Sequence, residues 1–247
     1  MSSGGLPRSS TEPLDPTWLA RQSPRAAALV RRWWDVRVSG LEAVPGTGPV
    51  ILAANHIGFL DGPLLVTFAP RPVHALTKVE MFSGRAGRLL TRAAQIPLDR
   101  GAVDMAAIRS SLRVLRDGGV LGVFPEGHRG AGEYEVVRGG AAYLALVTGA
   151  PVVPVTFFGT REPGGGRNSV PKRGGCIDIV YGEAWRTPQQ EWPRTREQVR
   201  TTTTLLKQHL LGELERARAL TGRELPGPLP APQTDNKPRA GLKRGTE

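Results

Sequence analysis

Short, continuous apolar runs separated by helix-length segments constrain this chain more than any other feature. The runs are PVILAA (49–54), VHALT (73–77), IPL (96–98), VLGVF (120–124), VVPVTFFG (152–159) and CIDIVYG (176–182). A strand covered on both faces reads as an unbroken apolar run, not as an alternating one. The segments between them, among them DGPLLVTFA, GRAGRLLTRAA, VDMAAIRSSLRVLRDGG and GGAAYLALVTGA, read as helices. In the third, Met105, Ile108, Leu112 and Leu115 form one stripe, and Gly118 and Gly119 mark its end. A long last helix covers TREQVRTTTTLLKQHLLGELERARAL. Strands alternating with helices predict an α/β fold: a mixed, largely parallel sheet flanked by helices, in one domain over 36–221.

The ends read differently. Residues 1–16 are polar, with Gly, Ser and Pro, and are expected to form a flexible arm. Residues 17–35 are expected to hold a basic amphipathic helix. In it Ser23 is the N-cap and Pro24 the first helical residue, and Ala26, Leu29, Val30 and Trp33 share a face. Such a helix suits either a membrane surface or the core of its own domain. The Pro-rich, polar stretch 222–247 is expected to be a disordered tail. The N-terminus lacks the apolar core of a secretory signal, and no run approaches the roughly 18 apolar residues of a membrane span. A single cysteine, Cys176, excludes an internal disulfide. The net charge of +11 suits anionic partners: nucleic acid, an anionic membrane or anionic substrates. No nucleic-acid module is recognisable, and with aromatics at 6% there is no stacking pattern.

In open α/β folds, sites collect at the carboxyl ends of the strands. After PVILAA stand His56 and Asp61, a histidine beside a carboxylate, which is the pairing of a general base with its orienting group. By itself the pair also reads as a surface histidine and a helix-capping aspartate. After VHALT come Lys78 and Glu80; after IPL, Asp99 and Arg100; after VLGVF, Glu126, Gly127 and Arg129. Arg138 opens the apolar helix near the same edge. Each group alone also reads as a solvated ion pair or a turn, but four polar strand ends in succession point to one site. There is no G-x-S-x-G elbow, so covalent serine chemistry is not indicated.

These residues fall in ordered blocks that resemble the glycerolipid acyltransferases, in particular the bacterial 1-acyl-sn-glycerol-3-phosphate acyltransferases. The blocks are NHIGFLD (55–61), KVEMF (78–82) with IPLDRG (96–101), FPEGHRG (124–130) and VVPV (152–155). The resemblance covers about residues 36–185. It implies His56 as the base that deprotonates an acceptor hydroxyl and Asp61 as its orienting partner. It implies a phosphate pocket of Arg100, Glu126, Gly127 and Arg129, with Lys78 as a further cation; Arg138, near the same edge, is a candidate for the same pocket by its position. Val153 and Pro154 would border the acyl pocket.

The resemblance also implies direct attack on a thioester, with backbone N–H groups near the first block holding the oxyanion. No metal or cofactor is implied beyond acyl-CoA or acyl carrier protein as co-substrate. The acceptor would be lysophosphatidic acid and the product phosphatidic acid. The place of action would be the cytoplasmic face of an anionic membrane, with the protein peripheral and no nucleic acid as partner. Two positions depart from the pattern: His128 stands where the family has threonine, and Gly58 where it often has serine. The residues leave open glycerol-3-phosphate, a lysophospholipid or a glycolipid as acceptor. A basic, non-enzymatic membrane- or nucleic-acid-binding protein is the remaining reading.

Overall fold

In a computed structural model, residues 14–101, 103–191 and 193–230 are described. The elements run α1 (Thr17–Arg31), β1 (Asp35–Ser39), β2 (Val50–Ala54), α2 (Asp61–Phe68), β3 (Val73–Lys78), α3 (Gly84–Arg92) and β4 (Ile96–Leu98). After these come α4 (Met105–Arg116), β5 (Val120–Val123), α5 (Gly140–Thr148), β6 (Val152–Phe158), β7 (Cys176–Tyr181) and α6 (Arg196–Thr221). The sheet order is β1-β7-β6-β2-β5-β3-β4. Five strands, β6-β2-β5-β3-β4, run parallel; β7 is antiparallel to β6, and β1 is parallel to β7. The expected mixed, largely parallel sheet with flanking helices is what the chain forms.

Strands β2, β5 and β6 are buried at every position, which is why they read as unbroken apolar runs. One face of the sheet carries α4, α5 and α6 through Leu112, Leu115, Leu144, Leu206, Leu210 and Leu214. The other carries α2 through Leu64, Leu65 and Phe68, with Ala27, Val30 and Trp34 from the α1 region. Local signals set the helix ends. The Asp104 carboxylate accepts from the N–H groups of Ala106 and Ala107 at the start of α4. Thr195 and Gln198 form a reciprocal capping box at the start of α6.

Three expectations need correction. Helix α1 begins at Thr17, and Pro24 lies inside it. The Ser23 hydroxyl turns back onto the Leu19 carbonyl at 2.9 Å and caps nothing. Leu19 is buried, so packing extends the helix upstream of the proline. The packed face is also rotated from the expected one: Leu29 is 62% exposed and Trp33 46%. Strand β1 went unread, because DVRVS offers only Val36 and Val38 between polar residues. Finally, the chain does not loosen at Gly222. Arg223 donates to the Asp178 carboxylate at 2.9 Å and to the Cys176 carbonyl at 2.8 Å, and Leu225 packs on both core clusters. The remaining tail, 231–247, and residues 1–13 of the expected arm lie outside the described residues.

Where β2 ends, Asn55 extends the ladder with its side chain. Its Oδ1 accepts from the Phe157 N–H at 2.8 Å, and its Nδ2 donates to the Phe157 carbonyl at 3.2 Å. Asn55 is fully buried. Asn55→Ala strips a buried donor and a buried acceptor of their partners. It is expected to lower the unfolding free energy by about 2–4 kcal/mol, read as a lower urea midpoint at unchanged slope.

Candidate active site

The carboxyl ends of β2, β5, β3 and β4 lie side by side in that order. Their four following loops therefore meet at one edge. The loop after β2 carries His56, and Asp61 is the first residue of α2. Asp61 is fully buried. Its Oδ2 accepts from the N–H groups of Ile57 at 2.7 Å and Gly58 at 2.8 Å, and stands 2.8 Å from His56 Nδ1. Its Oδ1 accepts from the Thr160 hydroxyl at 2.5 Å. An ionised carboxylate only accepts, so Nδ1 carries the hydrogen and Nε2 presents its lone pair. Burial holds the imidazole below its usual pKa. Asp61 opposes that shift, and the cations of Arg129 and Arg100 add to it. The neutral imidazole is thus favoured and held in one orientation, as a general base requires.

The loop after β5 fixes the rest of His56. The Glu126 carboxylate accepts from the His56 N–H at 2.8 Å, and the Gly130 N–H donates to the His56 carbonyl at 2.8 Å. The Phe124 ring stacks on the imidazole at 4.1 Å. Glu126 is buried, and that burial pushes its pKa up to about 7. The His56 N–H acts the other way, and the carboxylates of Asp61, Glu135 and Glu133 add to the rise. Glu126 therefore holds the loop after β2 by its backbone, a different task from gripping an anion. Gly127 has φ +74°, and a Cβ there would come within 2.2 Å of Arg138 Nε. Only glycine lets that guanidinium approach.

Two cavities adjoin these loops, although His56 and Asp61 line neither. One, of about 590 Å³, is lined mainly by apolar residues of β3, β4, α4, β5 and α5, among them Leu76, Leu98, Ile108, Phe124, Tyr143 and Leu144. The other, of about 800 Å³, is polar, and Lys78, Arg100, Glu126, Gly127, Arg129 and Arg138 all line it, with His128 at its rim. The two share Asp99, Arg100, Gly127 and Arg138. Five acidic residues also line the polar cavity: Glu80 pairs with Lys78 and Glu133 with Arg218, while Asp99, Glu126 and Glu135 stand among the arginines. Arg100, Arg129 and Arg138 form no salt bridge among the described residues. Burial and the neighbouring Arg138 both depress the Arg100 pKa. Like charges converging on one cavity favour an anion there.

All six expected anion-pocket residues therefore meet, and His56 and Asp61 are in contact beside them. Val153 and Pro154 are placed elsewhere. They sit mid-strand in β6, paired with Leu52 and Ala53. Val153 belongs to the core on the α2 face, and neither residue lines the two cavities. The apolar cavity lies on the opposite face of the sheet.

The loop after β6 was missed, although the strand-end rule applied there too. It supplies Thr160 and Arg161, both almost fully buried. The Arg161 guanidinium donates to the carbonyls of Ile57 at 2.7 Å, Gly165 at 3.1 Å, and Gly130 at 2.9 Å, and to that of Gly227 at 2.5 Å. One side chain thus ties the loops after β2, β5 and β6 to the C-terminal segment. The departure at Gly58 has its reason here: a Cβ at that position would meet the Thr160 carbonyl at 2.6 Å.

The Acyltransferase family model matches residues 35–158. The chain belongs to the acyltransferase family. It is an enzyme of that class, which displaces the non-enzymatic reading. The acyltransferase is 27% identical over 177 residues to a 1-acyl-sn-glycerol-3-phosphate acyltransferase of Bacillus subtilis, covering 71% of this chain and 86% of that one. To the protein of the same name from Borreliella burgdorferi it is 31% identical over 149 residues, 56% of this chain and 58% of that one. Its fold matches the crystal structure of a 1-acyl-sn-glycerophosphate (LPA) acyltransferase from Thermotoga maritima. That match has a TM-score of 0.58 at 22% identity, over 84% of this chain and 80% of the other.

Glu126 generates a pH prediction for this acyltransferase. Its carboxyl titrates near 7 when folded and at 4.5 when free, so the folded state holds the proton more tightly. The resulting stability is complete below pH 4.5 and lost as pH rises towards 7. Glu126→Gln removes the ionisation and keeps an acceptor for the His56 N–H. Between pH 4.5 and 8, unfolding free energies measured in urea are expected to move in the variant's favour by up to about 3 kcal/mol.

Proposed function

We propose that the enzyme transfers a fatty acyl group to the free hydroxyl of 1-acyl-glycerol-3-phosphate, giving phosphatidic acid for phospholipid synthesis. The observation that carries this reading is that His56 touches one wall residue of each cavity: the Phe124 ring stacked on its imidazole lines the apolar one, and Glu126, bound to its backbone N–H, lines the one that holds Arg100, Arg129 and Arg138. The apolar cavity takes acyl chain, and the cations of Arg100, Arg129, Arg138 and Lys78 take the acceptor phosphate. The donor is a thioester of coenzyme A or acyl carrier protein, and the reading calls for no other cofactor and no metal. The names of the relatives support this acceptor, and the arginines of the polar cavity give it a physical reason.

In this mechanism His56 Nε2 removes the proton from the acceptor hydroxyl as its oxygen attacks the thioester carbonyl. A tetrahedral oxyanion forms and collapses, the C–S bond breaks, and the leaving thiolate takes the proton from His56, which returns to its neutral form. Asp61 stabilises the transient imidazolium. Holding the phosphate in place lowers the entropic barrier to attack. Among the described residues no helix is long and apolar enough to cross a membrane. We place the enzyme peripherally at the cytoplasmic face of the cell membrane, where its substrates reside.

His56→Ala is expected to lower kcat with acyl-CoA and lysophosphatidic acid by roughly 10²–10⁴-fold. Turnover that persists undiminished in the variant overturns the proposal. In the wild type, activity needs the neutral imidazole, so the acid limb of the kcat/KM profile should fall below the free value of 6.5. Arg129→Ala should raise KM for phosphate-bearing acceptors roughly 10- to 100-fold and leave the donor KM nearly unchanged. Equal effects on both would assign Arg129 another role. The polar cavity and His128 at its rim also leave room for a larger head group. A panel of glycerol-3-phosphate, lysophospholipids and a glycolipid separates that acceptor reading from the first.

A further inference from the structure

Helix α3 buries almost nothing. Of its nine residues only Gly87 is buried, while Arg85, Arg88, Leu89 and Arg92 are exposed. The helix carries no acidic residue. Leu89 is 54% exposed, and Met81 and Val79, just before the helix, are 40% and 38% exposed. A short amphipathic helix gains little stability by itself, and this one rests on the preceding turn by its glycine alone. A Cβ at Gly87 would stand 2.2 Å from the Phe82 carbonyl carbon.

The place of α3 gives this exposure meaning. Lys78 pairs with Leu98 at the ends of β3 and β4. The segment leading to α3 and the loop leading to α4 therefore leave the same edge together. The second loop exposes Val103 at 78%, Met105 at the start of α4 is 48% exposed, and both line the apolar cavity. Exposed apolar residues, and three arginines that form no salt bridge among the described residues, thus leave the same sheet edge as Val103 and Met105, which line the cavity that the proposed function assigns to acyl chain.

We propose that α3, with Val79 and Met81, is a docking surface for an anionic lipid bilayer, and that it presents the apolar cavity to the membrane. This inference rests on the proposed function for its purpose but not for its measurement. Apolar side chains between arginines fit a bilayer interface, where leucine enters the acyl boundary and guanidinium groups meet lipid phosphates. An acidic carrier protein would meet the arginines but leave Leu89, Met81 and Val79 unmatched.

The test uses the full chain and vesicles of phosphatidylcholine, with and without phosphatidylglycerol, in a sedimentation assay. Wild type is expected to bind only the mixed vesicles and to release at high salt. Leu89→Glu and the double variant Arg85→Glu/Arg88→Glu should each weaken that partitioning at least about tenfold. Both should keep wild-type transfer between a short-chain acyl-CoA and a monomeric short-chain lysophosphatidic acid. Undiminished vesicle binding by both variants overturns the docking surface. So does loss confined to Leu29→Glu on α1, or loss by the α3 variants of transfer from acyl carrier protein alone. A wild type that binds vesicles through α3 but transfers no acyl group refutes the proposed function and leaves the docking surface standing.

Discussion

The Asp61 carboxylate is the interaction on which the site depends. An isolated buried carboxylate is very costly, and here no cation pairs with it directly. Four donors compensate: the N–H groups of Ile57 and Gly58, the Thr160 hydroxyl and His56 Nδ1. They come from the loops after two adjacent strands, β2 and β6. Satisfying one charge therefore fixes the path of the first loop, its distance from the second and the tautomer of the base. The glycine at position 58 is part of the same solution, because any side chain would part the two loops. Arg161 closes the arrangement, its guanidinium near enough to attract Asp61 while its donors are spent on four carbonyls.

The surroundings of His56 divide its tasks among different elements. Glu126 and Gly130 grip its backbone, Asp61 its Nδ1 and Phe124 its ring face. Burial and two nearby guanidinium groups favour the neutral imidazole, and Asp61 favours the charged one. Such opposition suits a base that must first be unprotonated and then stabilised once it holds the proton. Under the proposed function, the cations that would draw in an anionic acceptor are the same ones that favour the neutral imidazole.

What the sequence revealed follows from burial. Strands β2, β5 and β6 were legible because both faces are covered, which leaves an unbroken apolar run. His56, Asp61, Arg100, Glu126 and Arg129 were legible because chemistry sits at strand ends and their blocks stand in a family's order. Strand β1 was not, since an edge strand with two valines carries little pattern. The apolar cavity was illegible for a different reason. Its walls come from β3, β4, α4, β5 and α5, and only packing brings Leu76, Ile108 and Leu144 together. Val153 and Pro154 line neither cavity, since a motif's position in the chain does not say which face of a sheet its residues meet.

The C-terminal segment shows where composition misleads most. RELPGPLP has the proline and polarity of a chain that cannot collapse unaided. It needs no core of its own, because existing elements anchor it at separate points. Arg223 reaches Asp178 at the start of β7, Leu225 enters a gap between the two cores, and the Gly227 carbonyl takes a donor from Arg161. Proline lowers the entropy lost in such docking, since its φ is already fixed. Pro228 and Leu229 then complete the wall of the polar cavity. The last described residues of the chain thus border the same space as Lys78 and Arg129, and Arg161 holds the Gly227 carbonyl and the Ile57 carbonyl beside His56 with one guanidinium.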